Sequence, residues 1–376
     1  MATVVKHLSL LLAFGLSFAG GSPAQTWPVP SRFPEFSWDT VPVFCHMCKP
    51  GGLFNDTELK FLTRFPIVTI EKGQGVNETG YAEDKMIAAA KQIKSAQKSV
   101  WTLFYMNAIL DWEFYHLHEI MLQHPEYWLR DDNGNVIRRG GDHSFPQSKD
   151  GMLIFDQTKK VVRDVFTSDC VNSTMDGAFD GCFVDRANWA LRILDDGGSP
   201  LKNVSTARIK ELANGQVQLL SEMQTALTDS RIVIAKDVGG AAGFTDWPYV
   251  DAIFLSDCYC CSSTCARDIE AAINATKRGQ LLQCHVDGKL NDHDNFIFHL
   301  STFLIVAGNH SYFAYSEGWY LESYGLKWWP EYSKPLGSPL GPANCTGTVY
   351  QREFSSGTHV WVDIETKKGN ITWGTK

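Results

Sequence analysis

Eight short runs rich in β-branched and aromatic residues, at 41–45, 66–71, 99–107, 181–185, 231–237, 251–257, 281–287 and 311–317, recur along the chain with helix-like stretches between them. Strands that alternate with amphipathic helices bury themselves as a parallel sheet covered by those helices. The spacers are explicit at 83–97, where Met86, Ile87, Ala90 and Ile93 share one face, and at 207–227, where Ile209, Leu212, Leu220, Met223 and Leu227 do. Eight strands at this length predict a closed (β/α)8 barrel over a doubly wound sheet, and no Gly-x-Gly-x-x-Gly follows the first strand to mark a dinucleotide site. The expected fold is therefore α/β: a (β/α)8 TIM barrel within residues 25–320, then a small C-terminal β module at 321–376, where 350–354, 359–364 and 369–373 alternate as strands do. The longest break lies between the third and fourth strands. There Asn133-Gly134, within 128–137, predicts a hairpin that walls one side of the barrel mouth.

Residues 1–24 read as a secretory signal peptide, with Lys6 ahead of an apolar stretch from Leu8 to Ala19 and small residues running to Ala24. That stretch is too short for a membrane span and no later segment reaches the length of one, so the mature chain is expected to be secreted or lumenal, with no membrane partner after cleavage. Eight Asn-x-Ser/Thr sequons, at Asn55, Asn77, Asn172, Asn203, Asn274, Asn309, Asn344 and Asn370, agree with that route. Ten cysteines in an oxidising compartment predict disulfides, and Cys258, Cys260, Cys261 and Cys265 crowd one loop. Cys45-His46-Met47-Cys48 has metal-like spacing but no second Cys/His pair at zinc-finger distance, so no metal and no cofactor is expected. A formal net charge of −8 without a basic run argues against nucleic acid as a partner.

Six of the runs end in an acid: Glu71, Asp185, Asp237, Asp257, Asp287 and Glu317. Barrel enzymes keep their chemistry at this C-terminal rim, and a carboxylate there costs several kcal/mol to desolvate unless something pairs or uses it. Each acid alone also reads as a helix N-cap or an ion-pair member, as Glu71 does beside Lys72. Strand alternation places Phe183 inward with Asp185, and an inward Asp257 would carry Ile253 and Leu255 with it. Aromatics lie on or just past the same ends, among them Tyr105, Trp112, Trp189, Trp247, Tyr259, Tyr315 and Trp319. Sugars offer flat C–H faces to aromatic rings and hydroxyls to carboxylates and amides, so this mixture suits a carbohydrate. Glycoside hydrolysis needs two carboxyl groups astride one bond, one protonated and one ionised. Around such a pair, His46, Glu71, Tyr105, Asn107, Lys236, Asp237, His285, Asp287 and Glu317 are the expected substrate contacts, with Asp237 also a rival for the second acid. Two other readings stay open: a catalytically inactive carbohydrate-binding barrel, and a polysaccharide lyase with Tyr105, His285 or Lys236 as its base.

The stretches 102–112, 124–129, 180–185 and 335–341 resemble secreted glycoside hydrolases built on a (β/α)8 barrel. More loosely, the chain is similar to the α-galactosidase clan, in which one acid ends strand four and another ends strand six. The resemblance implies Asp185 as nucleophile and Asp257 as general acid/base. Phe183 stands where the α-galactosidases carry a Lys two residues before the nucleophile.

Overall fold

The computed structural model of the protein describes residues 30–139, 151–187, 203–227, 230–236, 250–256 and 265–375. The eight expected runs form one parallel sheet of β1 (Cys45–Met47), β2 (Ile67–Ile70), β3 (Trp101–Asn107), β4 (Gly181–Asp185), β5 (Ile232–Lys236), β6 (Ala252–Ser256), β7 (Leu281–Asp287) and β8 (Ser311–Ser316), paired in chain order. The two ends meet: Phe44 N–H donates to the Phe313 carbonyl at 3.1 Å, and Phe313 N–H to the Pro42 carbonyl at 3.0 Å. This closes the barrel and leaves no open sheet edge. It also explains why β1 begins later than the run at 41–45 predicts. Residues 42–44 serve the closing contact with β8, while the ladder with β2 starts at Cys45.

Helices α1 (Asp56–Leu62), α2 (Ala82–Ala96), α3 (His116–Leu122), α4 (Lys160–Met175), α5 (Thr206–Ala226), α6 (Cys265–Lys277) and α7 (His293–Val306) accompany the strands. Their starts are legible as caps: Asn55 and Glu58 form a capping box on α1, Ser205 caps α5 and Asp292 caps α7. Phe296, Phe298, Leu300, Phe303 and Leu304 of α7 are all buried, and a helix buried all round needs cover on both sides. The barrel supplies one side. The other is an antiparallel sheet of β9 (Asn344–Thr346), β10 (Val349–Glu353), β11 (His359–Asp363) and β12 (Lys368–Thr372). Gly369 approaches α7 so closely that a Cβ there would lie 2.9 Å from the Phe298 Cα. Arg352 donates from Nη1 to the carbonyls of Leu304, Ile305 and Ala307 at 2.9, 3.2 and 2.6 Å, satisfying acceptors that the end of α7 leaves open. The short exposed β9 has no apolar alternation, and nothing in the sequence announces it.

The Asn-Gly hairpin forms as expected. Asp131 accepts from the backbone N–H of Asn133 and Asn135 at 3.0 and 2.8 Å, and Gly134 takes φ +84°. Inside the barrel, Phe254 meets Phe183 at 5.0 Å and Phe44 at 5.8 Å between ring centroids. Phe254 therefore faces inward, and alternation turns Ile253 and Leu255 outward, the reverse of the packing expected beneath Asp257. Gly181 is dictated by the neighbouring strand, since a Cβ there would sit 2.2 Å from the Ile232 carbonyl oxygen. At the opposite end from the strand-end acids, Arg32 and Asp251 form a buried ion pair at 3.5 Å. A disulfide joins Cys170 of α4 to Cys182 of β4. Cys45 and Cys48 are buried and not joined to each other, while Cys258, Cys260 and Cys261 lie outside the described residues. Among the described residues no helix is long and apolar enough to cross a membrane.

Candidate active site

Asp185 ends β4 with its carboxylate pointing into the barrel mouth, 7% exposed and fully engaged. Its Oδ2 accepts from the Tyr105 hydroxyl at 2.6 Å and from Asn107 Nδ2 at 3.2 Å, both from β3. Its Oδ1 accepts from the Arg186 backbone N–H at 2.9 Å and lies 3.0 Å from Lys236 Nζ at the end of β5. Asn107 is itself fixed, because its Oδ1 accepts from the N–H groups of Ile109 and Leu110 at 3.1 and 2.8 Å, which aims its amide at Asp185. Arg186, directly after Asp185, adopts φ +57°, an uncommon conformation for a non-glycine residue and of the kind that clusters at functional sites. Burial pushes the Asp185 carboxyl up. Lys236, Arg186, Lys72 and the Tyr105 hydrogen bond outweigh that and hold it well below the usual carboxylate range.

A second pair stands beside it. Lys72 Nζ donates to both oxygens of Glu71, at 2.8 and 3.0 Å, and lies 4.7 Å from the Tyr105 ring centre and 5.0 Å from that of Trp112. Glu71 is thus the ion-pair member that its neighbour in sequence suggested. His46, on β1, rests 4.6 Å from the Phe183 ring and 4.7 Å from that of Trp319, and neither of its ring nitrogens has a hydrogen-bond partner. Burial, with the positive charge of Lys236 adding to it, holds its pKa well below the ordinary value, so it is neutral. His285, on β7, stacks on Trp319 at 4.1 Å, and burial followed by Lys236 pulls its pKa down to about 3. Its Nε2 lies 2.9 Å from Ser316 Oγ, which donates to the Gly318 carbonyl at 2.7 Å. With that hydroxyl proton spent, Nε2 is the donor and Nδ1 is left as a buried acceptor with no partner.

The structure therefore brings together Asp185, Tyr105, Asn107, Lys236, Glu71, His46 and His285. Asp287 and Glu317 are exposed, and Glu317 accepts from the Leu290 N–H at 3.0 Å in a loop tie. Asp237 and Asp257, with Trp189, Trp247 and Tyr259, lie outside the described residues. Tyr315, one of the strand-end aromatics, packs outward against Phe296 and Trp329 at 5.3 and 5.8 Å. Sequence reasoning missed Ser316 as the group that sets the His285 tautomer, and Lys72 as a cation between two rings. The Glu-Lys dipeptide at a strand end was the available signal for Lys72. No group of three or more His, Cys, Asp or Glu residues that could hold a metal ion occurs among the described residues.

No curated protein matches the chain. Among solved structures it is similar to an α-L-fucosidase isoenzyme 2 from Paenibacillus thiaminolyticus, with 12% identity, 76% of this chain and 48% of that chain covered, and a TM-score of 0.45. It is also similar to Eubacterium rectale Amy13B, with 9% identity, 88% and 87% covered and a TM-score of 0.49, and to an α-galactosidase from Lactobacillus brevis, with 13%, 89% and 47% covered and 0.46. The chain spans about half the length of the first of these. The model of hypothetical glycosyl hydrolase family 15 matches residues 94–358, from the last turn of α2 to just before β11. That match takes in six of the eight barrel strands and two of the four strands of the C-terminal sheet, and the chain belongs to this glycoside hydrolase family.

Proposed function

We propose that this chain hydrolyses O-glycosidic bonds of a polysaccharide or oligosaccharide, with Asp185 acting ionised against the anomeric carbon. The observation that carries this reading is the Asp185 carboxylate itself, inward at the end of β4 and kept charged by Lys236, Tyr105 and Asn107. A carboxylate so held remains ionised under acid conditions that leave a second carboxyl protonated, which is the division of labour that glycoside cleavage requires. The partly exposed Trp319 ring offers a stacking surface for a sugar. His46 and the Nδ1 of His285 supply neutral hydrogen-bonding groups suited to hydroxyls. The general acid falls to Asp257 through the resemblance to α-galactosidases, with Asp237 as the rival. Glu71 is less suited, since Lys72 occupies both of its oxygens.

Tyr105 does not suit a lyase base, because burial, then the charges of Asp185 and Glu71, raise its pKa well above the ordinary value. Secretion after cleavage near Ala24, with glycosylation at some of the eight sequons, belongs to the same proposal. It is checked by the N-terminus and glycan mass of material recovered from the medium. The test of function is hydrolysis of a panel of polysaccharides and aryl glycosides by the parent beside Asp185→Asn, Asp257→Asn and Asp237→Asn. Asp185→Asn should abolish turnover of every substrate while sugar binding persists. The variant lacking the general acid should lose activity on poor leaving groups far more than on activated aryl ones. A panel that the parent leaves intact but binds would favour the carbohydrate-binding alternative, and full activity in Asp185→Asn would sink the nucleophile.

A further inference from the structure

The outward face of the C-terminal sheet carries a row of side chains that the chemistry at the barrel mouth does not use. Strand pairing sets Asn344 opposite Gln351, Gln351 opposite Trp361, and Trp361 opposite Asn370, so one row crosses all four strands. The other face of the sheet lies on α7: Gly369 is pressed against that helix, and Val360, Val362 and Ile371 are buried. Alternation therefore turns Trp361 and Asn370 away from it. Trp361 is partly exposed, and among the described residues no other ring and no cation stands against its indole. Such a ring is a stacking surface left open to water. Asn370, directly across from it, opens the sequon Asn370-Ile371-Thr372, and both its Asn and its Thr are exposed. Thr372 lies on the same face of the strand, and Asn370 Nδ2 donates to its Oγ1 at 3.5 Å. Several other sequons are covered or engaged. Thr174 and Ser311 are buried, Asn309 Oδ1 already accepts from the Trp38 indole N–H at 2.8 Å, and Asn55 caps α1. Asn344 is exposed with Thr346, but it stands at the far end of the row, with Gln351 between it and the ring.

We propose that Asn370 is an N-glycosylation site whose first sugar ring lies on Trp361. This rests on the secretory route put forward above, which supplies a lipid pyrophosphate-linked oligosaccharide as donor. The Asn370 amide nitrogen attacks C1 of the donor sugar; the N–C1 bond forms, the C1–O bond to pyrophosphate breaks, one amide proton is lost and lipid pyrophosphate leaves. Residues paired across neighbouring strands stand about 5 Å apart at Cβ, so a sugar linked to Asn370 begins beside the indole. Its C–H face then meets the ring, while its hydroxyls and acetamide stay in water or meet polar neighbours. Gln351, on the far side of Trp361, is one such neighbour: its Oε1 lies 3.2 Å from His359 Nε2, and its amide N–H groups remain to donate to the sugar. The glycan thus covers a ring that the fold itself leaves half in solvent.

The experiment uses the full chain expressed in eukaryotic cells. Enzymatic release of N-glycans in heavy-oxygen water turns each glycosylated Asn into a labelled Asp, and peptide mass spectrometry should find that label at Asn370 in most of the molecules. Asn370→Gln and Thr372→Ala abolish the glycan through different atoms. Each should lower Tm by about 2 °C in the parent and leave it unmoved in a Trp361→Ala background, as two groups in contact require. Hydrolysis of the substrate panel should stay unchanged in all of these variants, so the outcome is separate from that of the glycosidase reading. An unlabelled Asn370 in a chain labelled at other sequons overturns the assignment and leaves the secretory reading standing, whereas a chain with no glycan at any sequon overturns both. A glycan on Asn370 whose removal shifts Tm as much without Trp361 as with it overturns the contact with the ring.

Discussion

Asp169 carries a stability cost whose sign and pH window follow from its surroundings. Its pKa is about 7 in the folded protein against an ordinary 3.8, because burial opposes the charge and Glu83 repels it. This is the reverse of the usual carboxylate case, since the folded state binds the proton more tightly than the unfolded one. The contribution is therefore fully present below pH 3.8 and is lost as pH rises through 7. At 1.36 kcal/mol for each unit, the 3.2 units between those values bound the loss at about 4 kcal/mol. Asp169→Asn keeps the shape and removes the charge. It should match the parent near pH 4 and exceed it by about 1–4 kcal/mol at pH 8, a rise of roughly 2 °C in Tm per kcal/mol in a large domain. Thermal unfolding of both proteins from pH 4 to pH 8.5 measures the difference. A difference that does not change with pH, or a variant less stable than the parent at pH 8, would refute the reasoning.

Asp251→Ala should destabilise the barrel by about 3–5 kcal/mol in urea unfolding, because it strips a partner from the buried Arg32 at 3.5 Å; an unchanged midpoint counts against the pair. Replacing Cys170 and Cys182 together by Ala should cost about 2–4 kcal/mol, and a parent whose unreduced mass shows two thiols there contradicts the α4–β4 link. His285, with its pKa pulled down to about 3, should stay neutral between pH 5 and pH 8, and an imidazole NMR signal for it titrating near 6.5 would show that it is solvated.

The barrel was legible because eight apolar runs with helical spacers admit few ways of burying every strand, and because Asp185 closes a short Gly-led run. Facing was not legible for β6. Its residues are buried whichever way they point, so parity had to be borrowed from Asp257, and Phe254 shows that the borrowed parity was wrong. Asp287 and Glu317 mark a related limit: whether an acid that ends a run is buried with the others or exposed at the rim, as both of these are, depends on the chain that follows it, and sequence does not separate the two. The pairing of Lys236 with Asp185 was beyond reach, since it depends on the ends of β4 and β5 coming level.

Asp185 at the barrel mouth and Asp169 on α4, partly exposed but with Oδ2 buried, thus sit on opposite sides of the ordinary carboxylate range, and desolvation cannot be what separates them, since it raises both. The difference is the company each keeps. Asp185 has Lys236, Arg186 and Lys72 about it, with a phenol and an amide donating to one oxygen. Asp169 has Glu83 for a charged neighbour and an oxygen that meets no donor. Such cationic surroundings are costly to assemble in a barrel interior unless the charge they hold is used, whereas the cost at Asp169 falls when it takes up a proton. The same desolvation thus yields a carboxylate fixed in its charged form at the mouth of the barrel and, on α4, one that titrates near neutrality.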